Sequence, residues 1–111
     1  MSYYISITGL QLKRPWHKPV FWRLAIASML QAHAADGCIS AEEKTIDGVH
    51  HTRSVWESRD KMLIFLRSGT HLKAMQSFAK IATGKVYGYP SDTVPDWPEV
   101  QRLWTEKGRE V

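Results

Sequence analysis

The segment His50-His51-Thr52-Arg53-Ser54-Val55-Trp56-Glu57-Ser58 decides the fold. Its side chains alternate, so Thr52, Ser54 and Trp56 share one side of a strand while Arg53 and Val55 share the other. His50 and His51 are adjacent, so one joins each side and the two cannot chelate one ion together. The strand ends on Trp56 and turns directly into a helix. Ser58 is a good cap for it, and Asp60 suits the positive end of its first turn. Met62, Phe65, Leu66 and Gly69 share a helix face. Ser68-Gly69-Thr70 marks a kink or short break, after which Leu72, Met75, Phe78, Ala79 and Ala82 resume helical spacing.

Working outward, Tyr3, Ile5 and Ile7 alternate with Tyr4, Ser6 and Thr8, which predicts a first strand over Tyr3 to Leu10 with a bend allowed at Gly9. Gln11 to Pro19 reads as a basic loop. Val20 to Ala35 reads as a helix entered through Pro19 and left through Asp36-Gly37, with an unusually broad apolar arc. Cys38 to Asp47 is a half-buried second strand, and Asp47-Gly48 signals a hairpin into the third. Gly84 is read as the end of the second helical region. Lys85 to Tyr89 then forms a short fourth strand stopped by Pro90. Asp96 with Glu99 matches a capping box for a C-terminal helix that turns Leu103 and Trp104 inward.

The order strand, helix, strand, strand, helix, strand predicts an α+β, ferredoxin-like βαββαβ domain over residues 1–111. Its four-stranded antiparallel sheet carries two helices on one face, and a C-terminal helix follows. The face away from the helices then needs cover, and a homodimer with two sheets closing on each other is the expected solution.

Composition narrows the function classes. Hydrophobic residues make up 43% of the 111 and charged residues 23%, which suits a folded domain rather than a disordered chain. No apolar run reaches the ~20 residues of a membrane span, and the opening Met1-Ser2-Tyr3-Tyr4 lacks a basic, then apolar, leader. The single cysteine, Cys38, leaves no internal disulfide; the expectation is a cytoplasmic protein. A net charge of +4 without a recognisable reading element is not expected to bind nucleic acid.

Trp56, with Ser54 before it and Phe65, Ser68 and His71 after, resembles the antibiotic biosynthesis monooxygenase group. Those small dimeric α/β-barrel proteins include haem-degrading members; the spheroidene monooxygenase-like branch and related proteins of unknown function are nearest in pattern. The resemblance implies a homodimer, and a pocket between helices and sheet into which the tryptophan ending the third strand projects. Haem-degrading members use an asparagine on the first strand and a histidine on the second long helix. This chain has no asparagine, and the histidine position falls on Met75, with His71 one turn earlier. Haem is thus a candidate cofactor through His71.

The candidate site therefore comprises Trp56 and His71 as catalytic groups, with Thr52, Ser54, Trp22, Met75 and Tyr87 completing a ligand pocket; Trp16 could also rim it. A metal site is not expected, because no metal-ligand spacing appears. His71 inward on its helix must satisfy a ring nitrogen, and Thr52 and Ser54 offer hydroxyls. Two readings follow: a monooxygenase acting on an apolar or aromatic small molecule or on haem, or a non-enzymatic ligand-binding or interaction module of the same fold. A weaker third has Lys13, Arg14, Lys18 and Arg23 gripping an anion.

Overall fold

The computed structural model describes residues 2–110, apart from the side chain of Thr70. Strand β1 (Tyr3–Leu12) leads through a 3-10 turn (Pro15–His17) to helix α1 (Lys18–Ala34). The hairpin β2 (Cys38–Ile46) and β3 (Val49–Trp56) follows, then helices α2 (Arg59–Leu66) and α3 (Gly69–Ile81), strand β4 (Ala82–Ser91), helix α4 (Trp97–Lys107) and the two-residue β5 (Arg109–Glu110). The strands lie in the order β2-β3-β1-β4-β5, every neighbouring pair antiparallel. This is the expected ferredoxin-like α+β arrangement, with five strands instead of four among the described residues.

Local chemistry accounts for most element ends. At the β2–β3 hairpin Asp47 and Gly48 both take positive φ, 51° and 80°, the twist that a two-residue turn between right-twisted strands requires. Ser58 Oγ accepts from the Lys61 backbone N–H at 3.2 Å and caps α2. Asp96 caps α4 by accepting from the Glu99 N–H at 3.0 Å. Ser68 caps α3 through the His71 N–H. The expected kink is thus a full break between two helices, because Ser68 leaves the helical region (ψ 145°) to serve as that cap.

Gly84 does not end a helix. α3 stops at Ile81 and β4 runs ten residues, with Gly84 paired to Leu10. A Cβ on Gly84 would lie 2.6 Å from the Gly9 carbonyl oxygen, so the glycine serves a close approach of two strands. Pro90 lies within β4 opposite Tyr4, beyond the short stretch where β5 pairs, so its outer side has no ladder to break.

The sheet has two covered faces. On one, α1 packs against β2, α2 against β3 and α3 against β4, with Phe21, Ala25, Phe78 and Ala82 as a buried cluster. On the other, Ile5, Ile7 and Val55 pack against Val100 and Leu103 of α4. The expectation that helices leave this second face bare is therefore corrected: α4 lies on it, because its capped start and apolar stripe fit the valine-isoleucine surface. Arg53, only 9% exposed, ties α4 down from β3. One guanidinium nitrogen donates to the Pro95 carbonyl at 2.6 Å, another meets Glu42 at 3.1 Å, and the group lies 4.4 Å from the Trp97 ring centroid. Gly9 is not a bend but a seat. A Cβ there would sit 2.5 Å from Trp104 Cε2, and the indole N–H donates to the Lys85 carbonyl at 3.0 Å.

Candidate functional site

Register selects the site. Because Tyr4 pairs with Trp56, Ser6 with Ser54, Thr8 with Thr52 and Leu10 with His50, these eight side chains share the sheet face under α1–α3. They floor a cavity of about 420 Å³. α1 roofs it with Ala25, Met29 and Ala32, α2 with Met62, Phe65 and Leu66, and α3 with His71, Met75 and Phe78. The roof is largely apolar, whereas the floor carries a stripe of hydroxyls. That contrast follows from the sequence, since β1 and β3 both place small hydroxyl residues at alternate positions.

Trp56 closes one end and is 1% exposed. Its N–H donates to Ser54 Oγ at 2.8 Å, and Phe65 lies against it with ring centroids 5.2 Å apart. Phe65 in turn meets His71 at 4.6 Å. Trp56 and His71 thus line the same wall with Phe65 between them. Thr8 and Thr52 hydroxyls contact each other across the strands. Ser54 takes the Trp56 N–H and lies 3.5 Å from the Ser6 carbonyl. The expected bond from these hydroxyls to His71 is therefore not made: the threonine and serine are engaged within the floor, and His71 Nδ1 is buried without a partner. Burial lowers the His71 pKa below the ordinary histidine value.

The remaining expected positions separate. Thr52, Ser54 and Met75 line the cavity; Trp22 does not, being 39% exposed on the outer shoulder of α1. Tyr87 touches the cavity from β4, but its ring stacks on Tyr89 (5.4 Å, 19°) on the α4 side. Trp16 is exposed, with Arg14 over its ring.

Two residues gain a place that the sequence left open. Phe65 is the spacer just described. His50 proves to be the histidine on the cavity side, 5% exposed, with Phe21 and Trp22 edge-on at 5.1 Å. His51 faces α4 instead, its Nδ1 3.3 Å from the Thr8 carbonyl and its ring edge-on to Trp104. The signal that could have found His50 is alternation itself: it lies two, four and six residues before Thr52, Ser54 and Trp56 and so shares their side of β3.

Among the described residues no three His, Cys, Asp or Glu side chains converge as a metal site, and no helix is long and apolar enough to cross a membrane. Haem is not supported by the donor set: α3 carries Met75 where the resemblance expects a ligating histidine, and β1 has no asparagine.

No family model and no curated relative matches the sequence. Solved structures do match. SnoaB, a cofactor-independent oxygenase from Streptomyces nogalater, superposes with a TM-score of 0.72 at 11% identity, covering 89% of this chain and 100% of that one. Rv0793 from Mycobacterium tuberculosis gives 0.68 at 17% identity, covering 85% and 98%. A structure described as an antibiotic biosynthesis monooxygenase gives 0.67 at 11%, covering 82% and 99%. At these identities the likeness establishes the fold: this chain has the fold of the antibiotic biosynthesis monooxygenases.

Proposed function

We propose that this chain, built on the antibiotic biosynthesis monooxygenase fold, is an oxygenase of hydroxylated aromatic or otherwise apolar small molecules, bound between the helices and the sheet. The observation that carries the reading is the cavity of about 420 Å³ with an apolar roof, a hydroxyl-bearing floor and aromatic end walls. Such a volume suits one small ligand. A flat ring gains dispersion against Trp56, Phe65 and the methionines, while its own hydroxyls meet Ser6, Thr8 and Thr52. The residues present supply binding, orientation and exclusion of water. The oxygenase activity that names SnoaB supports the reaction class.

The test is oxygen uptake and quenching of tryptophan emission with a set of hydroxylated naphthalenes and anthracenes. Saturable quenching with stoichiometric oxygen consumption is expected. Absence of binding across the set overturns the proposal. Binding without uptake favours the second reading, a ligand-binding module. One observation favours that alternative: Thr8 with Thr52, and Trp56 with Ser54, engage each other and leave the floor chemically quiet.

A homodimer is part of the proposal. The half-buried Tyr87–Tyr89 stack beside α4 leaves aromatic surface on the second sheet face for another copy. Sedimentation equilibrium at micromolar concentration should give twice the 12.7 kDa chain mass; a stable monomer refutes it.

A further inference from the structure

The cavity holds a second histidine with features His71 lacks. In the hairpin Glu43 pairs with Thr52, so Glu43 shares the cavity side of the sheet, and His50 lies two residues before Thr52. That diagonal relation lets a long side chain on one strand reach its neighbour. Glu43 Oε2 lies 3.3 Å from His50 Nε2, within charge contact though not aligned as a hydrogen bond. Phe21 and Trp22 hold the imidazole edge-on from α1. Nδ1 is also buried without a partner among the described residues.

We propose that Glu43 and His50 form a proton-accepting pair at the α1 end of the cavity, with His50 Nδ1 taking the proton from a hydroxyl of a bound aromatic ligand. The inference rests on the reading of the cavity as a site for hydroxylated aromatics. In the step, the ligand O–H bond breaks and an N–H bond forms at Nδ1. The electron pair stays on the ligand oxygen as a phenolate, and the imidazolium sits between that phenolate and the Glu43 carboxylate. His50 is the catalytic residue; Glu43 is a positioning residue that favours the charged ring.

The surroundings select His50 over His71. Burial lowers the pKa of both, so each is neutral with a free accepting nitrogen but a weaker base than an exposed imidazole. At His50 the Glu43 carboxylate opposes that fall, so the protonated ring has a counter-charge; at His71 burial alone acts. The other groups facing His50 do not alter this. Leu10 on β1, Thr45 on β2 and Phe21 and Trp22 on α1 do not titrate, and His51, on the opposite sheet face, adds only a weaker repulsion.

The probe is 2-naphthol, which is neutral in water at pH 7 and whose near-ultraviolet band moves to longer wavelength on ionisation. It is followed at saturating protein and pH 7. The transfer moves the proton within the complex and releases none to solvent, so its signature is a naphtholate band at a pH where the free probe is neutral. The wild-type chain should hold a measurable fraction of the bound probe as naphtholate. His50→Gln should abolish that band and Glu43→Gln should remove part of it, with Glu43→Asp restoring some. Nitrogen-15 spectra of the wild-type complex at the same pH should show His50 cationic in the same fraction. No binding of 2-naphthol to the wild type overturns the cavity reading and this inference together. Binding with the same spectrum in wild type and His50→Gln, or a naphtholate band lost only in His71→Gln, overturns this inference alone.

Discussion

Replacing Trp56 by alanine tests the placement of the whole β3–α2 segment. The side chain is 1% exposed and packs on Phe65. Truncating a buried large aromatic costs about 3–5 kcal/mol through lost transfer energy and the void left behind. Two features set the value within that span. One side of the indole already borders the cavity, so fewer packing contacts are lost than in a solid core. The 2.8 Å bond to Ser54 is also lost, but Ser54 Oγ still faces the Ser6 carbonyl and is not left alone. The expected loss is therefore near the lower limit, about 3 kcal/mol. Trp56→Phe keeps ring packing and removes the N–H, and should cost about 1–2 kcal/mol. The assay is urea unfolding followed by far-ultraviolet circular dichroism, with an unchanged denaturant slope as the check on two-state behaviour. A loss below about 1 kcal/mol for the alanine variant, or equal losses for alanine and phenylalanine, would refute the burial argument.

Gly9→Ala should destabilise by about 1–3 kcal/mol through collision with the Trp104 indole, and the penalty should largely vanish in a Trp104→Ala background; additivity in that double-mutant cycle would contradict the seat described for Gly9. Thr8→Val or Thr52→Val alone should cost about 1 kcal/mol by leaving one hydroxyl unpaired, while the double variant should recover most of the loss; two additive losses would show that the pair is not coupled. Acidification should weaken the fold, because burial depresses the pKa values of His50, His51 and His71 below the ordinary 6.5. These rings are neutral when folded and bind protons more readily when unfolded, so their contribution is complete above about pH 6.5 and is lost as pH falls towards the folded values. Urea midpoints that stay flat between pH 7 and 5 would contradict it.

The parts of this structure legible in the sequence are those fixed by short-range chemistry. Alternation in β1 and β3, the Asp47-Gly48 turn and the caps Ser58 and Asp96 each act within a few residues, and each element appears where it is expected. What was not legible depends on neighbours far along the chain. The periodicity of α4 announces a helix but not which sheet face it covers; that is settled by Ile5, Ile7 and Val55. Gly84 looks like a helix stop until Leu10 and Gly9 are known to lie beside it. α1 carries apolar groups nearly all round, with Phe21 and Ala25 buried but Ile26 and Leu30 exposed. Periodicity therefore could not decide that Trp22 stands outside the cavity.

The arrangement of polar groups in the cavity argues for a division of labour. A floor whose hydroxyls engage one another is stable without a ligand, since each costly buried group has a partner. On the proposed reading it would orient a ligand's hydroxyls without a strong demand for any one of them, leaving selection to shape at the Trp56 and Phe65 wall. Among the described residues the exceptions are Ser28 Oγ on the α1 roof and the two cavity histidines, each with a buried polar atom unpaired. Such groups cost free energy in the fold, so their place is better explained by what they do when a ligand is present. Of the two histidines, only His50 has a carboxylate within charge contact of its ring among the described residues. Proton transfer is therefore assigned to the α1 end of the cavity and ligand stacking to the Trp56 end, and substitutions at the two ends should separate ionisation of the ligand from its binding.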